Sequence, residues 1–178
     1  MMLGEIRTHH PEGAPEEVAL VELTGRPFKA LCIPRKALEP ANALPELSDG
    51  GVYFLLGPGH RPEDKPRVFI GSASDLAHQL LHWNERQSPF PWHRAVAFPL
   101  AAPRVPRFHK ELNKLVQLHC HRGAVRAQNH EVINQEPTCP SLVPAFIERD
   151  IKASRTAIQT LLFALGHPVL GTRPRVVS

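Results

Sequence analysis

The 178-residue chain is sparing in sulfur and in aromatic hydroxyls, with three cysteines, two methionines and a single tyrosine. Its cysteines, Cys32, Cys120 and Cys139, are odd in number and far apart. That excludes a closed disulfide framework and predicts free thiols in a reducing compartment. No apolar run approaches the roughly 20 residues that a membrane-spanning helix needs. The first residues carry Glu5, Glu16 and Glu17 among prolines instead of the apolar stretch of a secretory signal. A soluble cytoplasmic protein without a membrane partner is therefore expected. Hydrophobic residues make up 42% of the chain, enough for a real core, so disorder throughout is excluded. The length fits one domain with elaborations, or one and a half.

Net charge is low, at +4, but unevenly spread. Residues 1–50 hold eight acids against five bases. Residues 104–126 hold six bases, Arg104, Arg107, Lys110, Lys114, Arg122 and Arg126, against the single acid Glu111. His109, His119 and His121 lie in the same segment. Such clustering is the electrostatic footprint of a polyanion-binding face, and a solvated helix face is the alternative.

Periodicity divides the chain. Residues 1–15, with Gly13, Pro11 and Pro15, read as a flexible arm. Residues 16–48 read as a hairpin, Val18 to Leu23 and Phe28 to Ile33 around Thr24-Gly25-Arg26-Pro27, followed by a short helix or loop broken at Pro40 and Pro45. Residues 49–125 read as the core. In it Gly51 to Leu56 and Arg67 to Gly71 form a hairpin with a proline-broken tip, Ser74 to Trp83 a helix capped near Asp75, and Arg94 to Pro99 a strand. Phe108, Leu112, Leu115, Val116 and His119 mark a second helix ending near Gly123. Residues 126–170 read as a polar connection and a helix from Ser141 to Leu165, stopped by Gly166-His167-Pro168. Residues 171–178 read as a tail. The fold class is α/β, a small and mainly antiparallel sheet flanked by helices.

Gly51-Val52-Tyr53 opening one strand, Phe69-Ile70-Gly71 closing the next, and the order strand, strand, helix, strand, helix together resemble the GIY-YIG nuclease core. The likeness covers residues 51 to about 123. The flanks resemble a bacterial subgroup with a Thr-Gly strand turn before the core and a Pro-Thr-x-Pro-Ser-Leu run, here Pro137 to Leu142, after it. The resemblance implies a base or water ligand at Tyr53, a second tyrosine position at Phe69 and an arginine position at Gln79. It puts the metal-holding glutamate on Leu112, with Glu111 one residue away and about 100° round the helix.

A single-metal cleavage site needs a base, a carboxylate and a cation for the scissile phosphate. Hydroxyl, guanidinium and carboxylate are all replaced at the matching positions. The resemblance thus implies a degenerate scaffold that binds DNA without cutting it and needs no cofactor. Mg²⁺ or Mn²⁺ enters only if Tyr53 and Glu111 form an active endonuclease, which is the first rival reading. Phosphate contacts are expected from Arg67, Arg94, Arg104, Arg107, Lys110, Lys114, Arg122 and Arg126, with Tyr53, Trp83 and Trp92 as stacking rings. A protein-interaction module acting through the proline-rich arm and the Pro58 to Pro66 loop is the second rival. His119-Cys120-His121 with His130 and Cys139 has poor spacing for zinc, because His-x-His on a helix diverges by about 200°.

Overall fold

A computed structural model of the chain describes residues 5–85, 88, 90–100, 109–139 and 145–172, and of Phe146 the backbone alone. It is an α/β structure built on one seven-stranded sheet. The strands are β1 (Ile6–His9), β2 (Ala19–Leu23), β3 (Lys29–Pro34), β4 (Gly51–Gly57), β5 (Arg67–Ala73), β6 (Arg94–Pro99) and β7 (Glu131–Val132). Their order is β1-β2-β3-β6-β4-β5-β7, and only the β5–β7 pair is parallel. Among the described residues four α-helices accompany them: α1 (Leu38–Ala41), α2 (Leu76–Glu85), α3 (His109–Ala127) and α4 (Ala145–Ala164).

The strand β4 is apolar at nearly every position because both of its faces are covered. Val52, Phe54 and Leu56 pack with Val68, Ile70, Val96 and Phe98 beneath α3 and α4. Tyr53 and Leu55 point the other way, into a second core with Leu31, Ile33, Leu76 and Leu80 beneath α1 and α2. Registers place Tyr53 opposite Gly71 and Leu55 opposite Phe69 on antiparallel strands, with α2 beside them. The outer edge of β5 is closed by β7 and by Asn134, whose side-chain amide accepts from the Ile70 N–H at 3.0 Å and donates to the Ile70 carbonyl at 2.8 Å. This protects an edge otherwise open to pairing.

Helix ends follow local chemistry. Asp75 caps α2, its Oδ1 accepting from the His78 N–H at 2.9 Å. The end of α4 is a Schellman turn, with Gly166 at φ 79° and the His167 N–H bonded to the Leu162 carbonyl at 2.9 Å.

Three expectations need correction. The segment expected as a flexible arm contains β1, which pairs antiparallel with β2 from Ile6↔Leu23 to His9↔Leu20, Ile6 packing against the core. The prolines that suggested an arm come only after that strand. The helix expected to stop near Gly123 continues to Ala127 and turns at Gln128, at φ 57°. Gly123 is internal to α3, with the Arg155 side chain of α4 beside it. The connection expected from Val125 to Pro140 accordingly starts later and includes β7. Arg104, Arg107, Phe108, Ser141, Leu142 and Val143 lie outside the described residues, as do residues 1–4 and 173–178.

Two motif glycines are explained by close approach. A Cβ on Gly71 would fall within the Tyr53 ring, and one on Gly51 would strike the Phe98 carbonyl of β6. Ring and backbone there are fixed, so overpacking of this kind costs about 1–3 kcal/mol. Gly71→Ala is expected to lower stability by that amount in urea denaturation, and by clearly less in a Tyr53→Leu background. Equal losses in both backgrounds would show that the Tyr53 ring is not what excludes a side chain at position 71.

Candidate functional site

Tyr53, Phe69 and Gln79 converge on one face of the sheet, as the hairpin register and α2 require. The rings of Tyr53 and Phe69 stack with centroids 6.2 Å apart and planes 18° apart. Trp83 tilts against Phe69 at 5.0 Å and donates its indole N–H to the Tyr53 hydroxyl at 2.8 Å. Tyr53 is only 2% exposed. Burial pushes its hydroxyl up to about 12, outweighing the opposing hydrogen bonds with Trp83 and Gln79. This hydroxyl is bonded and shielded.

The position aligned with the metal-holding glutamate fares no better as a ligand. Leu112 is buried in the core under α3 and α4, on the opposite side of the sheet from Tyr53. Its neighbour Glu111 lines a hollow of about 230 Å³ with Lys110, Lys114, Thr138 and Cys139. Gln79 lines a different hollow, of about 240 Å³, between the start of α2, the end of β5 and α3. Lys110 and Lys114, one turn apart, line both. They form a cationic ridge.

The walls of the Gln79 hollow are tied together by amides that sequence reasoning missed. Buried Asn113 donates to the Ala73 carbonyl at 3.3 Å, and its Oδ1 has no partner among the described residues. Gln117 accepts from the Ser72 hydroxyl at 2.7 Å and donates to the Ile70 carbonyl at 3.0 Å. The signal was present as Lys110, Asn113, Lys114 and Gln117 at three- and four-residue spacing on one helix face. Asp75 and His78 complete the rim. Because Asp75 already caps α2, an anion entering here meets lysine ammonium groups more than helix N–H groups.

The other expected cations among the described residues disperse. Arg67 is 7% exposed, donates to the Pro58 carbonyl at 3.0 Å and covers Phe90 at 5.3 Å. Arg94, on the other face of the sheet, reaches His167 Nε2 at 3.4 Å. Burial first, then the Arg94 charge, lowers that histidine to about 4. Arg122 pairs with Glu136 at 2.7 Å. Arg126 lies beside Arg155 at the far end of α3. Trp92 is 2% exposed beneath the Arg35 guanidinium at 4.6 Å, and Trp83 is committed to Tyr53. Neither is an open stacking platform.

The His-Cys-His run diverges as its spacing requires. Cys120 is buried with its thiol pushed up to about 12 by desolvation, while His121 donates to the Asn134 carbonyl at 2.8 Å. No group of three potential metal-ligating side chains occurs among the described residues, and no described helix is long and apolar enough to cross a membrane.

A scan against protein-family models, a search of curated proteins and a search of solved structures each return no match for this chain. The likeness to the GIY-YIG core therefore rests on its motifs and on the order of its elements.

Tyr53 is the single tyrosine, so the near-ultraviolet absorbance of tyrosinate reports on it alone. Its folded pKa lies above the ordinary value of 10.0, so the linked stability is whole below pH 10 and is lost as pH rises through about 12. The loss amounts to about 3 kcal/mol. A spectrophotometric titration of the folded protein should give a midpoint near 12. A midpoint at or below the ordinary value would mean that the hydroxyl is accessible.

Proposed function

We propose that this chain binds DNA through its phosphates along the Lys110–Lys114 ridge, on a GIY-YIG-like scaffold that does not cut. The observation that carries this reading is the division of roles across the fold. The aromatic hydroxyl that would activate water is buried and bonded to Trp83, whereas Lys110 and Lys114 line two open hollows, one of them beside the start of α2. With a pKa of about 12, Tyr53 is ionised at neutral pH in only roughly one molecule in 10⁵. A base so rarely ionised, with Glu111 opening onto a separate hollow, weighs against the Tyr53–Glu111 endonuclease.

Phosphate binding asks less of the site. Two ammonium groups one helical turn apart present point charges to a polyanion, and His78 and Gln79 add polar contacts. Binding is thus expected to be indifferent to sequence, in the nonspecific range of roughly 10⁻⁴–10⁻⁶ M at physiological salt.

Fluorescence anisotropy with unrelated duplexes tests this. The log of affinity should fall with log salt, and Lys110→Ala with Lys114→Ala should flatten the slope by about two units, near 0.9 for each phosphate left without its lysine. The parent protein and Phe69→Tyr should leave plasmid, single-stranded and branched DNA intact in Mg²⁺ or Mn²⁺. An unchanged slope in the lysine variant would sink the interface, and cleavage abolished by Glu111→Ala would establish the endonuclease in its place.

A further inference from the structure

A second cationic hollow lies between α3 and α4, about 14 Å along α3 from Lys114 if nine residues rise 1.5 Å each. It holds about 230 Å³ and is lined by Gly123, Arg126, Arg155, Gln159 and Thr172 among others, with no carboxylate in its lining. The Arg155 side chain of α4 reaches the α3 backbone at Gly123, where an added Cβ would stand in ordinary contact, 3.4 Å from Nη2. Gln159 ties down the far wall by donating to the Thr172 carbonyl at 2.7 Å. Neither Arg126 nor Arg155 has a carboxylate partner among the described residues, in contrast to Arg122 with Glu136.

We infer that this hollow is a separate phosphate site, in which Arg155 and Arg126 together clamp one phosphate group. Guanidinium forks match the oxygens of a phosphate in a way that point charges do not, and two of them at one hollow, without a carboxylate partner among the described residues, leave a strong, localised demand for an oxyanion. His119 reports on the same field. It shares a helix stripe with Arg122 and Arg126, and partial burial followed by the charges of Arg155, Arg122 and Lys152 holds its imidazole below the ordinary range. An anion bound beside these groups would relieve that repulsion. The phosphate belongs either to a small phosphorylated ligand or to a DNA backbone. In the second case one protein would hold duplexes at two separate places.

Calorimetry with pyrophosphate and with a short duplex, followed by histidine titration by NMR, separates these sources. Pyrophosphate should bind the parent, raise the His119 pKa, and bind Arg126→Gln with Arg155→Gln at least about tenfold more weakly. Lys110→Ala with Lys114→Ala should retain that binding in full, so the result does not depend on the ridge proposed above. A duplex affinity also reduced by the arginine pair would identify the backbone as the source, and one unchanged would identify a small ligand. Arg155 packs against Gly123, so exposed Arg126→Glu serves as the milder variant and should weaken pyrophosphate with an unchanged circular dichroism spectrum. Binding of neither probe, or binding indifferent to Arg126 and Arg155, would overturn the site.

Discussion

The Tyr53 ring lying over Gly71 organises the rest of the candidate site. A side chain at Gly71 would occupy the ring's own space, so the β4–β5 pair can close at this register only while position 71 is bare. With the ring seated there, its hydroxyl meets α2 at Trp83, one turn beyond Gln79. That bond and the Phe69 stack fix α2 against the sheet, which in turn sets the end of β5 and the Asp75 cap beside α3. The motif that resembles a nuclease signature thus has a sufficient packing explanation in this chain. The same contact that holds the hairpin together removes its hydroxyl from solvent.

Charge behaves differently from packing. Six bases crowd into residues 104–126, yet a nineteen-residue helix turns successive residues through every direction. Lys110 and Lys114 emerge on one side, Arg122 is neutralised by Glu136, and Arg126 joins Arg155 from another helix. Among the described residues, what reads in one dimension as a single basic face separates into the lysine ridge and the Arg126–Arg155 hollow. Arg67 and Arg94, which line neither hollow, support the hairpin tip and the end of α4.

Strong periodicities were legible from the sequence. The central hairpin, α2, β6 and the glycine-proline stop of α4 stand where alternation, capping and turn chemistry place them. β1 was hidden because Ile6–His9 has an exposed pattern and is stabilised by pairing with β2 rather than by its own residues. The end of α3 was misread because Gly123 resembles a stop signal, whereas the helix runs through it to Ala127, beside Arg155 of a helix some thirty residues on. For the site, the alignment of Tyr53, Phe69 and Gln79 was accessible, since hairpin register and helix spacing are local. The Trp83 bond, the Asn113 and Gln117 ties and the Arg126–Arg155 hollow were not, because each joins segments brought together only by the fold.

If DNA is held on the lysine ridge while the aromatic cluster stays sealed, amide chemical-shift mapping with a short unlabelled duplex tests both halves at once. Backbone amides of residues 72–79 and 110–117, which line or tie the Gln79 hollow, should shift, with the Trp83 indole N–H resonance unmoved and slow to exchange. Shifts confined elsewhere, or a Trp83 indole resonance that moves and exchanges rapidly on binding, would contradict this, because the hydroxyl of Tyr53 would then be released toward the nucleic acid.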